Sequence, residues 1–285
     1  MEIKPVLKKL LVLTAILFLL FGLILKAFFI DAYRIPTSSM NNTLIDGDFI
    51  LISKASYKLS TPAVIPFTNI KLSQSNLISF SKPSREDVVI FKSTAEILGV
   101  DSLANNHLIK RVVGLPGDTL KIVNKEVLIN NRKMRPPKES VIDIVQNKKQ
   151  GSAEEGIFPS GRRWNSDNYG PIRIPAKGDT ISISPKNIND WQVLINLEQG
   201  LGAVSVEGTV VNVKNKPVRE YIIQKDYYFL LGDNRDESFD SRYFGFIPED
   251  AIIGKAKFVY WSLRSDTSLS FPGNIRFDRF FKSIE

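Results

Sequence analysis

Residues Leu10–Leu25 carry no charge, and after Lys26 the apolar run resumes as Ala27-Phe-Phe-Ile30. A helix that crosses a bilayer needs about 20 mostly apolar residues. Leu10–Ile30 supplies them once Lys26 snorkels its amine to the interface. Beyond Tyr33 the texture changes to short runs rich in β-branched and aromatic residues: Asp48–Ile52, Asp87–Phe91, Leu120–Val123, Val127–Ile129, Thr180–Ile183, Thr209–Val213, Tyr227–Leu231 and Ala256–Tyr260. Gly, Pro, Asn and Asp punctuate them, as in Leu115-Pro-Gly-Asp118 and Asn124-Lys125, which predicts strands joined by turns. The best helical spacing after the span follows Pro185, where Trp191, Leu194, Ile195 and Leu197 fall on one face. Many strands and almost no helix predict a mainly β, antiparallel architecture behind one N-terminal transmembrane helix. Residues 124–225 are more polar than their flanks and read as an insert. The chain then divides into 1–31 (N-terminus and anchor), 32–123 (core, first part), 124–225 (inserted β-rich region) and 226–285 (core, second part, and tail).

Charge orients this arrangement. Lys4, Lys8 and Lys9 precede the apolar run and Asp31 follows it, so the positive-inside rule puts the N-terminus in the cytoplasm and the remainder outside it. A cleaved leader shares the basic start. The run is long for one, however, and no small-x-small site precedes Tyr33-Arg-Ile-Pro36, which favours a retained anchor. The formal charge of +8 is scattered, without a dense basic block, and argues against nucleic-acid binding. There is no Cys, which removes disulfides, thiolate metal sites and cysteine nucleophiles together. The single His, His107, cannot build a multi-histidine metal site.

Three segments concentrate reactive side chains. The first is Ile35-Pro-Thr-Ser-Ser-Met-Asn-Asn-Thr-Leu44, three consecutive hydroxyl residues just past the anchor, which on their own read equally as a polar linker. The second, His107-Leu-Ile-Lys-Arg-Val-Val-Gly-Leu-Pro-Gly-Asp118, sets Lys110 in an apolar strand. Such a lysine either faces solvent or is buried, and burial lowers its pKa until it can serve as a base. The third, Leu231-Gly-Asp-Asn-Arg-Asp-Glu-Ser-Phe-Asp-Ser-Arg-Tyr-Phe-Gly245, is either an Asx-rich turn or part of a site. A nucleophilic serine needs a base. His107 lies three positions from Lys110 and therefore on the opposite face of a strand, so Lys110 is the better partner for the first segment.

Taken in order, these segments resemble the motifs of signal peptidase I. The serine immediately before Met40 matches that family's nucleophile, Ser39, and Ile109–Asp118 resembles its lysine box, with Lys110 as the base. Gly232–Arg242 is similar to its C-terminal box nearly letter for letter, and Arg85–Phe91 resembles a weaker fourth box. The resemblance runs from about Tyr33 to Pro248. It implies a coiled antiparallel sheet as catalytic core, no metal or organic cofactor, and a serine endopeptidase that cuts signal peptides from exported preproteins near the export channel. It further implies an oxyanion hole from Thr37 and the Ser39 N–H, and support of the dyad by Ser238, Asp240 and Arg242, with Asp233 and Arg235 structural. By the same resemblance Ile35, Leu44 and Ile109 line shallow apolar substrate pockets or pack in the core. Departures are Asn42 where the family often has Pro, Glu86 where Gly is common, and Glu237 for a frequent Asn. The first two predict altered turns. Two rival readings are another Ser/Lys peptidase, such as a self-cleaving repressor, and an inactive membrane-anchored β scaffold. A membrane span in place of a DNA-binding domain counts against the first, and the presence of Ser39 and Lys110 against the second.

Overall fold

The computed structural model describes residues 5–62, 68, 70, 72, 75–92, 107–143, 145–264 and 272–285; Lys4 lies outside them. Helix α1 is described over Pro5–Ile24 and continues in a wider turn over Leu25–Phe29. No residue of this helix is buried, and Pro5–Phe29 is long and apolar enough to cross a membrane. It ends one residue earlier than the apolar run. Ile30 already belongs to strand β1 (Ile30–Arg34), because backbone pairing with the next strand competes for it. Lys54 ties the helix end to the body. Its amine donates to Lys26 O at 2.5 Å and Ala27 O at 3.0 Å, a cation satisfying last-turn carbonyls.

The strands follow in the order β2 (Asp48–Ser53), β3 (Lys58–Ser60), β4 (Asn76–Ser79), β5 (Val88–Lys92), β6 (His107–Gly114), β7 (Thr119–Val123), β8 (Glu126–Ile129), β9 (Arg132–Lys133) and β10 (Tyr169–Arg173). β11 (Thr180–Ser182), helix α2 (Ile188–Gln199), β12 (Val204–Glu207), β13 (Val210–Val213), β14 (Lys216–Val218) and β15 (Glu220–Ile222) come next. The chain closes with β16 (Tyr227–Leu231), the short helix α3 (Ser241–Phe244), β17 (Ile247–Pro248), β18 (Ile252–Ser262) and β19 (Lys282–Ser283). Among the described residues one antiparallel eight-stranded sheet runs β1-β2-β18-β5-β6-β16-β17, with β19 beside β18. Smaller sheets are β10-β7-β8-β9, β12-β13-β14, β11-β15 and β3-β4. β7 lies before residue 124 yet pairs with β8 and β10 beyond it.

Sequence texture explains the layering. β16 is buried along its whole length because both faces are covered. Tyr227, Phe229 and Leu231 enter the core shared with the 124–225 region, while Tyr228 and Leu230 enter a second core with Val89, Phe91 and Val112. A third core joins Ile35, Met40 and Leu44 to Ile50, Ile52, Val88 and Ile90. Every predicted run is a strand, and the helix expected after Pro185 is α2, burying Leu194 and Ile195. Asn124 and Lys125 both have positive φ (49° and 67°), the two-residue turn whose twist suits a hairpin.

Candidate active site

Ser39 sits on a loop stapled at its base, where Ile35 N–H donates to Asp48 O (2.8 Å) and Gly47 N–H to Ile35 O (3.0 Å). Within that loop Met40 and Leu44 are buried, Thr37 and Ser38 are exposed and Ser39 is half-buried, so apolar anchors hold a hydroxyl run at the surface. Asn42 has φ 70°, a region that proline's ring cannot reach. The expected change of turn at that position is therefore obligatory. Glu86 is different. Its φ of 74° is the conformation that glycine favours, so Glu86 adopts a left-handed turn despite its Cβ. Glu86 N–H donates to Val112 O at 2.8 Å, and Asp87 beside it accepts from Tyr57 Oη (2.6 Å), Ser84 N–H (2.9 Å) and Lys255. Burial alone would raise the Asp87 pKa, but those donors hold it below the ordinary value.

Strand β6 carries Lys110 to this loop. Its side chain is 3% exposed, and Nζ lies 2.7 Å from Ser39 Oγ while donating to Ile109 O at 3.0 Å. Burial pushes the amine's pKa down to about 8, with Asp240 and Asp233 working against the shift and Arg242 with it. Such an amine is partly neutral near pH 7–8 and can accept a proton from the hydroxyl it touches. His107 turns away, its ring edge-on to Tyr33 at 5.4 Å between centroids.

Residues 232–242 hold the other side. Asn234 N–H donates to Ser39 O (3.1 Å), and its Nδ2 to Ser38 O (3.2 Å) and Glu237 Oε2 (3.0 Å). Glu237 also accepts from Ser38 Oγ at 3.3 Å, so the residue that departs from the resembled motif ties down the Ser39 loop. Asp233 is fully buried and takes Arg111 in a two-point bond (Nε 2.8 Å, Nη2 2.7 Å) together with Thr43 Oγ1 (2.6 Å). That carboxylate thus fastens β6, beside Lys110, to the Ser39 loop. Asp240 and Arg242 form a second buried two-point pair, both bonds 2.8 Å, and Asp240 accepts Gly232 N–H at 3.1 Å. Burial works against the Asp240 carboxylate, yet Arg242 and Gly232 hold its pKa below the ordinary value. Gly232 is required by close approach: a Cβ there would meet Ser238 Oγ at 2.2 Å and Ser39 O at 2.5 Å.

The structure thus brings Ser39, Lys110, Thr37, Asp240 and Arg242 into one neighbourhood. Thr37 Oγ1 lies 3.5 Å from Ser39 Oγ. Ser238 is there too, but its buried Oγ makes no hydrogen bond and does not reach Lys110, although it sits close enough to Asp240 to help depress its pKa. Ile35 (3% exposed) and Leu44 (0%) are packed in the core, while Ile109, only partly buried, lies at that core's edge. Sequence reasoning did not find the roles of Arg111, Thr43 and Asn234. Their partners lie 122, 190 and about 195 positions away, so no local spacing could signal them.

Comparison with known proteins gives the same address. The family described as signal peptidase, peptidase S26, matches residues 7–261. Signal peptidase I of Buchnera aphidicola subsp. Baizongia pistaciae is 32% identical, covering 90% of this chain and 77% of that protein. Signal peptidase I of Pseudomonas aeruginosa is 28% identical (87% and 70% covered), and that of Haemophilus influenzae 25% identical (92% and 72%). With a match across almost its whole length, the chain belongs to the signal peptidase family, peptidase S26.

Proposed function

We propose that this protein removes signal peptides from preproteins by acyl transfer through Ser39, with Lys110 as general base. The observation that carries the reading is the 2.7 Å contact between a buried, pKa-depressed amine and the Ser39 hydroxyl. With Lys110 protonated, its N–H donates to Ser39 Oγ; once the amine is neutral the bond reverses, and the hydroxyl donates to the nitrogen lone pair. Ser39 Oγ then attacks the scissile carbonyl while Lys110 takes its proton. The lysine next protonates the leaving amine, and finally activates a water that hydrolyses the acyl-enzyme. The Ser39 N–H and Thr37 Oγ1 would hold the oxyanion, a contribution of roughly 3–4 kcal/mol per donor in serine proteases.

Asp233–Arg111 and Asp240–Arg242 fix the relative position of the two reacting atoms. Ser238, whose buried hydroxyl has no partner, is the residue that could orient the Lys110 amine by accepting one of its N–H groups after a small shift of either side chain. Ile109 at the edge of its core supports an apolar substrate contact, with Ile35 and Leu44 packed in the core behind it.

The helix Pro5–Phe29 is the anchor. Lys8 and Lys9, within its first two turns and ahead of the uncharged run, support a cytoplasmic N-terminus with the β domain on the extracytoplasmic side of the cell (inner) membrane. Substrates would reach it there as they leave the export channel. The test is cleavage of a leader-bearing precursor by purified wild type, Ser39→Ala and Lys110→Ala. Activity retained by either variant would refute the dyad.

A further inference from the structure

Arg235 is a buried charge that the proposed chemistry leaves unused. Its side chain is 5% exposed, and among the described residues it makes one hydrogen bond, from Nε to Gly232 O at 3.1 Å. No carboxylate of the described residues pairs with it, in contrast to Arg111 and Arg242, which both have a two-point acidic partner. A guanidinium offers five N–H donors. Among the described residues the Nη groups of Arg235 have no acceptor, and they are not among the sealed, unsatisfied atoms of the interior. They meet open space, and the space beside Arg235 is a cavity of about 210 Å³.

The walls of that cavity have a definite chemistry. Lys125, Lys133 and Arg135 add positive charge, while Val127, Met134 and Ile142 are apolar. Lys125 is already engaged, by Asp236 Oδ1 and Asp143 O, each at 2.6 Å. Lys133 is bonded to Glu126, the one carboxylate on the lining. Arg135 is exposed, and among the described residues neither guanidinium, one buried and one at the rim, has a carboxylate in contact. Burial, with Arg242 and Arg111 nearby, pushes the Arg235 pKa down to about 10 against the pull of Asp240 and Asp233, which still leaves it cationic at neutral pH. Asp233 and Asp240 are already paired with Arg111 and Arg242, which leaves the third buried guanidinium without an acid in contact; the planar fork matches the two oxygens of a phosphate or carboxylate.

We infer that this cavity is a binding site for a small oxyanion, a phosphate or carboxylate, held by Arg235 and Arg135 with any apolar remainder against Val127, Met134 and Ile142. The site adjoins the proposed active site. Arg235 N–H donates to Val141 O (3.0 Å), Val141 N–H to Asp233 O (2.9 Å), and Asn234 N–H to Ser39 O (3.1 Å), so an anion on Arg235 braces the segment that touches the Ser39 loop.

The test is the ³¹P NMR linewidth of inorganic phosphate titrated against the full-length protein in a non-ionic detergent, with ionic strength held constant by chloride. Broadening that saturates, and that acetate reverses, is expected. Arg135→Gln should weaken binding about tenfold, in line with a lost charge-assisted hydrogen bond. Glu126→Gln, which removes the competing carboxylate from an exposed position, should tighten it. Arg235→Gln should abolish it, and the two surface variants carry the test if that protein does not fold. Broadening without saturation, or one affinity shared by wild type, Arg135→Gln and Glu126→Gln, would overturn the site. Binding is read without peptidase activity, so its outcome is separate from that of the proposed reaction.

Discussion

Replacing Lys110 with Met keeps the aliphatic stem and deletes the amine, which makes it a direct probe of the charge state at the centre of the mechanism. The ordinary lysine pKa of 10.5 falls to about 8 in the folded chain. At 1.36 kcal/mol per factor of ten, that gap means a folding penalty of about 3 kcal/mol. The sign follows from proton counting. Between pH 8 and 10.5 the unfolded chain holds the proton and the folded chain does not, so stability rises with pH through that window and the full penalty applies below it. Met escapes the penalty but forfeits the bonds to Ser39 Oγ and Ile109 O, about 1 kcal/mol each. The variant should therefore be more stable than wild type by about 1 kcal/mol at pH 7, and less stable by about 2 kcal/mol above pH 10.5, where only the lost bonds count. Urea unfolding of the full chain in detergent, followed from pH 6 to 11, measures this as a crossing of the two midpoint curves. A Met variant clearly less stable at pH 7, or a difference that does not change with pH, would mean that Lys110 is a charged structural residue, and the base assignment would fall.

Cleavage by wild type should rise with pH through about 8 and then level off, as Lys110 loses its proton; a rate independent of pH from 6 to 9 would contradict this. Lys110→Arg should be as inactive as Lys110→Ala in a precursor-cleavage assay, because guanidinium keeps its proton at working pH. His107→Ala should retain more than a tenth of wild-type kcat/KM, a barrier change under about 1.4 kcal/mol, since the ring faces Tyr33 and not Lys110. Asp233→Ala should destabilise the fold by about 3–5 kcal/mol in urea unfolding, because it strands the buried Arg111 guanidinium and removes the acceptor of Thr43.

The sequence by itself determined the strongly apolar elements. The uncharged run of Leu10–Leu25 dictates a helix, and alternating or fully apolar runs dictate strands, because burial on one face or both is written locally. Motif resemblance located Ser39 and Lys110, since a nucleophile and its base must be particular residue types. Strands with little apolar character, such as β4, exposed throughout, and the short β9 and β14, were not legible: pairing alone defines them. Tertiary structure also decided that Leu44 and Ile35 are core residues, that Glu86 adopts a glycine-like turn, and that Ser238 stands without a bond. Above all it decided the charge partners. Arg111 finds Asp233 while Arg235, two residues along the chain from that carboxylate, has no acid in contact among the described residues. Sequence specifies how many charges a segment carries. Which of them are neutralised depends on which surfaces the sheet brings together across a hundred or more residues, and there the desolvation that depresses Lys110 is also set.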